Sequence, residues 1–426
     1  MNKIKRWIAA GLARAVTAPA LAACAQPEPK KTDGLTVDYT ASGLGSAAPA
    51  EGKAMSAEFV RAASDFGFSM LNNVAGDGNV MISPVSLLYA LGMTANGAAG
   101  ETRTQMENVL FGGIGVDEAN GYFRGFADSL PNGKGGVRLT LADSIWLNQA
   151  RGDFSVNAEF LAANAAYFDA GVFGVDFAQE DAAGQINRWT SEKTDGMIPK
   201  LLDDLSADAL MVLVNTVLFD GKWKETYRDS DVLKREFTSL DGTKTKREML
   251  SSEEDRYFRL GEGIGFIRPY AEKYSFVGIL PDEGKDVFDY AASITGEAFL
   301  SAVTKPQYGD VQVLLPSFTF EWGASVNDAL ISLGMEDAFD GHAADFSGMG
   351  ECGENIYIGE VIQKTKIELT REGTKAAAAT AVVVETLAML DPREPVRIYL
   401  DRPFVFAIVD NETGLPVFCG IVSELK

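Results

Sequence analysis

From Met55 onward the apolar positions fall into two periods. Phe59, Ala62, Phe66, Met70 and Val74 recur at helical spacing and predict an amphipathic helix. Ser83-Pro84 opens a second helix over Val85–Thr94, with serine as N-cap and proline in the first turn. Further helices are expected over Thr102–Leu110, Asn157–Tyr167 and Ala183–Thr194. Alternating or continuous apolar runs predict strands at Val137–Leu147, Met211–Phe219, Phe276–Leu280 and Val311–Phe320. Four more fit Gly359–Leu369, Val396–Leu400, Phe404–Asp410 and Val417–Val422. Helices dominate the first half and strands the second, without βαβ alternation. That order predicts an α+β fold with large antiparallel or mixed sheets.

The segment before Met55 does not belong to this pattern. Lys3, Lys5 and Arg6 precede a mostly apolar stretch from Ile8 to Leu21, and Leu21-Ala22-Ala23-Cys24 follows. This resembles a bacterial lipoprotein signal, in which Cys24 is lipidated and becomes the new N-terminus. A plain secretory signal cut at a small residue is the alternative. Both readings take the chain out of the cytoplasm, to the cell envelope or beyond. Residues 1–23 are read as the signal and 24–54, rich in Pro, Ala, Gly and Ser, as a flexible tether. The folded domain is expected over 55–426.

Composition removes several function classes. Among 426 residues, 38 Lys and Arg face 60 Asp and Glu, a formal net charge of −22. Such a surface repels phosphate backbones, so nucleic acid is not an expected partner. The single histidine, His342, sits in a Gly/Asp-rich loop and excludes multi-histidine metal sites. No GxSxG elbow is present, and the one Ser-x-x-Lys, Ser423 to Lys426, ends the chain. Neither catalysis nor a cofactor is expected. Cys352 and Cys419 lie in dissimilar contexts; Cys419 reads as a buried small hydrophobe, and a bridge between the two is the alternative.

One segment fits no ordinary element. Gly373–Glu385 reads G-T-K-A-A-A-A-T-A-V-V-V-E. On strand parity Thr374, Ala376, Ala378, Thr380, Val382 and Val384 share one uncharged face, and Lys375 and Glu385 lie on the other. Asp391-Pro392-Arg393-Glu394-Pro395 then brings the chain to the surface. The pattern describes a loop held out of a sheet that it is able to join.

At this point the chain from about Met55 to Lys426 resembles the serpins. The matching blocks are Asn79–Ser86, the set Asn187, Trp189, Thr194, Gly196 and Ile198, and Asn215–Trp223. Two more are Glu372-Gly373-Thr374 with Ala376–Thr380, and Ile398–Ile408 centred on Asp401-Arg402-Pro403-Phe404. The resemblance implies three β-sheets, eight or nine helices and an exposed reactive-centre loop over about 373–395. It implies a suicide-substrate inhibitor, expected as a monomer, whose cleaved loop inserts into the central sheet and traps the acyl-enzyme. Glu372, Gly373, Thr374, Ala376, Ala377, Ala378, Ala379 and Thr380 match the hinge; Ser83, Ser86, Asn215, Trp223 and Gln363 match the shutter and breach. Counting from Gly373 places the reactive bond at Leu387–Ala388, with Met389 and Leu390 as rival bait residues. A leucine there suits serine proteases with an apolar primary pocket, of the chymotrypsin, elastase or subtilisin kind. Two departures stand out: Arg371 where the family usually has an acid, and Gln363 where a histidine is common. A non-inhibitory carrier or chaperone-like serpin is the competing reading. Such relatives tend to carry bulky, charged or proline residues in the hinge, and this chain does not.

Overall fold

In a computed structural model, residues 30–31, 37–39, 48–151, 155–351, 353–374 and 394–425 are described. Among them are nine helices: α1 (Ala57–Val74), α2 (Pro84–Ala95), α3 (Gly100–Phe111), α4 (Val116–Asp128), α5 (Ala158–Phe168), α6 (Ala182–Lys193), α7 (Val287–Ala292), α8 (Gly296–Thr304) and α9 (Asn327–Ser332). The first ten strands are β1 (Lys30–Lys31), β2 (Val37–Asp38), β3 (Val80–Ile82), β4 (Val137–Asn148), β5 (Ser155–Val156), β6 (Gly171–Val175), β7 (Met211–Lys222), β8 (Val232–Thr238), β9 (Lys244–Leu260) and β10 (Gly263–Pro269). The rest are β11 (Tyr274–Pro281), β12 (Gln307–Pro316), β13 (Phe318–Ser325), β14 (Gly350–Glu351), β15 (Glu360–Leu369), β16 (Gly373–Thr374), β17 (Val396–Tyr399), β18 (Phe404–Asp410) and β19 (Pro416–Val422).

The strands form three sheets. The large one runs β1-β2-β6-β4-β7-β16-β15-β13; a second runs β17-β12-β9-β10-β11-β18-β19-β3, with β8 on β9; β14 and β5 make the third. All twelve residues of α2 are buried, so this helix is apolar on every side and lies within the core. Its start is set as the sequence predicts: the Ser83 hydroxyl caps the Ser86 amide, and Pro84 takes the first helical position. A smaller apolar cluster of Trp146, Val175, Ile186, Val212 and Val214 lies between α6 and the large sheet.

One strand expectation needs correcting. The apolar run Val311–Phe320 is two strands, β12 in the second sheet and β13 at the edge of the large one. Pro316 has no amide to donate to a ladder, and at Ser317 the chain passes from one sheet to the other. Cys419 is free and buried, in line with its reading as a small hydrophobe, and burial pushes its pKa up; Cys352 lies outside the described residues. Parts of the segment read as a tether are docked on the domain. Val37 and Asp38 pair with Gly174 and Phe173 of β6, and the buried Tyr39 accepts a hydrogen bond from Gln149 at 2.7 Å. The Lys53 amide donates to the Gly121 carbonyl at 2.8 Å.

The centre of the large sheet is uneven. β7 and β15 pair in parallel from Val212–Glu360 to Asn215–Gln363. At the far end β16 lies between them, pairing Thr374 with Gly221 and with Leu369. Among the described residues no ladder pair joins 216–220 to 364–368. The sheet therefore holds a lane that is closed at one end, primed at the other and unpaired between.

Candidate functional site

The primed end of the lane is built from glycine and aromatic residues. Thr370–Gly373 makes a tight turn, with the Thr370 amide donating to the Gly373 carbonyl at 2.8 Å. Gly373 has φ +153°, and a Cβ there would sit on the Gly221 carbonyl oxygen. Only glycine lets the turn come this close to β7. Thr374 follows, 3% exposed, and its hydroxyl lies 2.6 Å from the Tyr270 hydroxyl. Gly373 and Thr374, expected in an exposed loop, are thus part of the sheet.

Trp223 holds the turn from β7. Its backbone amide donates to the Glu372 carbonyl at 3.1 Å and its indole N–H to the Thr370 carbonyl at 2.9 Å. The Trp223 ring stacks on Tyr270 with centroids 4.5 Å apart and planes 5° from parallel. Beyond it lies a buried ion pair, Arg268–Glu254, each side chain 7% exposed. The Arg268 guanidinium packs 4.0 Å from the Tyr227 ring centre and 5.1 Å from that of Trp223. Burial drives the Glu254 carboxyl up, against the pull of Arg268, and pushes the Tyr227 hydroxyl to about 12. The Tyr227 amide donates to the Arg371 carbonyl at 3.2 Å. The Arg371 side chain, the departure noted above, pairs with Asp229 and with Glu372.

The closed end is locked by Gln363. Fully buried, its carboxamide accepts from the Ser83 amide at 3.2 Å and donates to the Ser83 carbonyl at 3.0 Å. An amide does here what one hydrogen-bonding ring nitrogen pair would do, with no titratable group. Thr365 adds a bond to the Met81 carbonyl at 2.7 Å, and Ser83 Oγ donates to the Val417 carbonyl at 2.8 Å. Ser86 is buried one turn into α2, and Asn215 lies on β7 directly beside Gln363.

The structure thus brings Ser83, Ser86, Asn215 and Gln363 together, and places Trp223, Glu372, Gly373 and Thr374 together at the other end. Ala376, Ala377, Ala378, Ala379, Thr380, Leu387, Ala388, Met389, Leu390 and Cys24 lie outside the described residues. Tyr270, Tyr227, Arg268 and Glu254 were not legible as site residues. They sit on other strands and hairpins, and no spacing connects them to the hinge. Among the described residues no cluster of three His, Cys, Asp or Glu side chains is arranged to hold a metal ion.

A family model described as Serpin (serine protease inhibitor) matches residues 61–425, and the chain belongs to the serpin family. An uncharacterised serpin-like protein of Thermococcus kodakarensis is 32% identical over 373 residues, covering 86% of each chain. The human leukocyte elastase inhibitor is 31% identical over 374 residues, covering 83% of this chain and 94% of its own. Among solved structures, the thermophilic serpin tengpin in its native state gives a TM-score of 0.86 at 37% identity, covering 92% of this chain and 100% of that one. Tengpin in its latent state gives 0.76 at 36% identity over 88% of this chain and 100% of that one. The fold is that of the serpins, and it is nearer to the native arrangement than to the latent one.

Proposed function

We propose that this serpin is a suicide-substrate inhibitor of serine endopeptidases with an apolar primary pocket. The observation that carries the reading is the lane between β7 and β15, unpaired over 216–220 and 364–368 and already begun by Thr374. Cleavage at Leu387–Ala388 frees a strand that starts at Thr374 and continues in the same register. About 14 residues at about 3.3 Å each span the lane. The acyl-enzyme at Leu387 is carried with the strand to the opposite end of the sheet, where its catalytic geometry is deformed before water reaches the ester. Small uncharged side chains on the inward face let the strand enter without burying a charge. The protein contributes bait and a strained sheet, and the protease contributes the chemistry.

The second part of the proposal is placement. Cys24 carries a lipid and holds the inhibitor on a membrane of the cell envelope. Among the described residues no helix is long and apolar enough to cross a membrane. Incubation with chymotrypsin-like, elastase-like and subtilisin-like proteases, followed by denaturing electrophoresis, tests the inhibitory reading. SDS-stable complexes with a released fragment beginning at Ala388 are expected. Cleavage without any stable complex across the panel would sink it.

A further inference from the structure

The two hydroxyls at the mouth of the lane are placed as a pair. Thr374 is the single hydrogen-bond partner of the Tyr270 hydroxyl among the described residues, and both groups are buried. The Tyr270 ring is fixed on three sides. It stacks on Trp223, meets Phe219 edge-on with centroids 4.9 Å apart, and its backbone bridges to Trp223. Its amide donates to the Tyr274 carbonyl at 3.0 Å, across a turn in which Lys273 takes φ +59°. A ring held this firmly presents its hydroxyl at one point. That point is beside Gly221, where a Cβ would strike the Phe219 ring and lie 3.1 Å from Tyr270.

We propose that Tyr270 is the residue that receives the hinge: its hydroxyl docks Thr374 at the first rung and so fixes the register in which the cleaved loop inserts. This rests on the inhibitory reading above. The chemistry favours a defined catch. A hydroxyl at this depth that loses its partner is left unsatisfied, so withdrawal of Thr374 or its docking one residue out of register costs a hydrogen bond. Such a slip would also turn Lys375 inward, because side chains alternate along a strand. Tyr270 touches neither protease nor scissile bond; it is a positioning residue.

The test uses the full chain in four forms: Tyr270→Phe, Thr374→Val, the double variant and Thr374→Ser. Phenylalanine keeps the stacked ring and valine keeps the shape of threonine, so each single change removes one half of the hydroxyl pair. Hydrogen exchange at the Gly373 and Thr374 amides is read first, in the uncut protein without protease. Exchange about fivefold faster is expected in either single variant, from the usual net worth of one hydrogen bond. The double variant should be no faster than the singles, and Thr374→Ser should behave as the parent. With a protease that the parent traps, both singles should raise the stoichiometry of inhibition while the acylation rate stays unchanged. Multiplying effects in the double variant, or unchanged exchange in Tyr270→Phe, would overturn the proposal and leave the inhibitory reading intact. Failure of the parent to trap any protease would instead remove that reading, while the exchange data still decide whether the pair docks the hinge.

Discussion

If the chain inhibits as proposed, replacing Thr374 by arginine should turn it from inhibitor into substrate. Thr374 is 3% exposed and its side chain meets Tyr270, with Leu369 and Gly221 on either side in the ladder. A guanidinium at this position would leave water for a wall of aromatic rings. The cation already beneath that wall, Arg268, has its carboxylate in Glu254 and offers the newcomer only repulsion. Burying an unpaired charge costs about 3–5 kcal/mol, so insertion should slow by roughly two orders of magnitude or more. Under the proposed mechanism acylation would take place at the other end of the loop and should keep its rate. The protease then cuts the same bond, deacylates and leaves. Lys375→Arg is the matched control. Continuing the register by one rung would place an inserted residue 375 on the outer face between Asp220 of β7 and Glu368 of β15, where a cation is welcome. The assay is the stoichiometry of inhibition against a protease that the parent traps, with the fraction of SDS-stable complex read in parallel. An unchanged stoichiometry for Thr374→Arg would refute both the inward placement and the insertion mechanism built on it.

Other outcomes follow from the same geometry. Gln363→Leu strips the Ser83 amide and carbonyl of a buried partner and should destabilise the uncut protein by about 2–4 kcal/mol, read from the urea midpoint. The Glu372 carboxyl is partly buried, which raises its pKa, but hydrogen bonds from Arg371 and Thr370 outweigh this and hold it below the usual range. A lowered carboxylate stabilises above its unfolded pKa and loses that contribution as pH falls through its folded one. The hinge turn should therefore lose hydrogen-exchange protection in acid, after correction for intrinsic rates, and Glu372→Gln should flatten that dependence. Cys24→Ser should release the protein from membrane fractions; unchanged membrane association would remove the lipid from the account.

Legibility in the sequence followed how local each cause is. α1 announces itself by a helical apolar stripe, and α2 by the Ser83 cap with Pro84 behind it, because each signal is local in the chain. α4 does not, although it runs thirteen residues. Its Gly121 and Gly125 weaken the helical signal, and they are present because Lys53 lies against them, so that a Cβ at Gly125 would clash with the Lys53 carbonyl. The long β9 escapes the pattern for a related reason: eleven of its seventeen residues are charged or serine, and its buried positions, among them Met249, Leu250 and Phe258, are spread along three different partner strands. At the site, the order of the hinge residues was readable, since parity alone separates Thr374 from Lys375. That Gly373 and Thr374 already occupy the sheet was not readable, because it depends on Tyr270, Trp223 and Gly221 arriving from elsewhere.

The lane's two halves match two compositions in the sequence after Thr374, and under the proposed mechanism this decides where insertion would be hard. If the chain inserts as proposed, in the register that Thr374 begins, residues 375–379 would come to lie opposite 216–220 and 364–368, the stretch with no ladder pair to break. Four of these five are alanines, small enough to enter an existing gap. Thr380 would then come beside Asn215 and Gln363, and the residues up to Val383 along the four pairs that join β7 to β15. Those pairs must part. Each one lost is replaced by a pair on either side of the incoming strand, so the closed half opposes insertion kinetically and not thermodynamically. The obstacle is the first of the four, where the Gln363 amide must let go of Ser83 or carry it along. The same bonds that stabilise the uncut protein would therefore delay the proposed trap. Gln363→Leu should lower the stability of the uncut form and at the same time lower the stoichiometry of inhibition, provided the variant is assayed below its unfolding transition. A loss of stability accompanied by slower trapping would place the barrier somewhere other than the shutter.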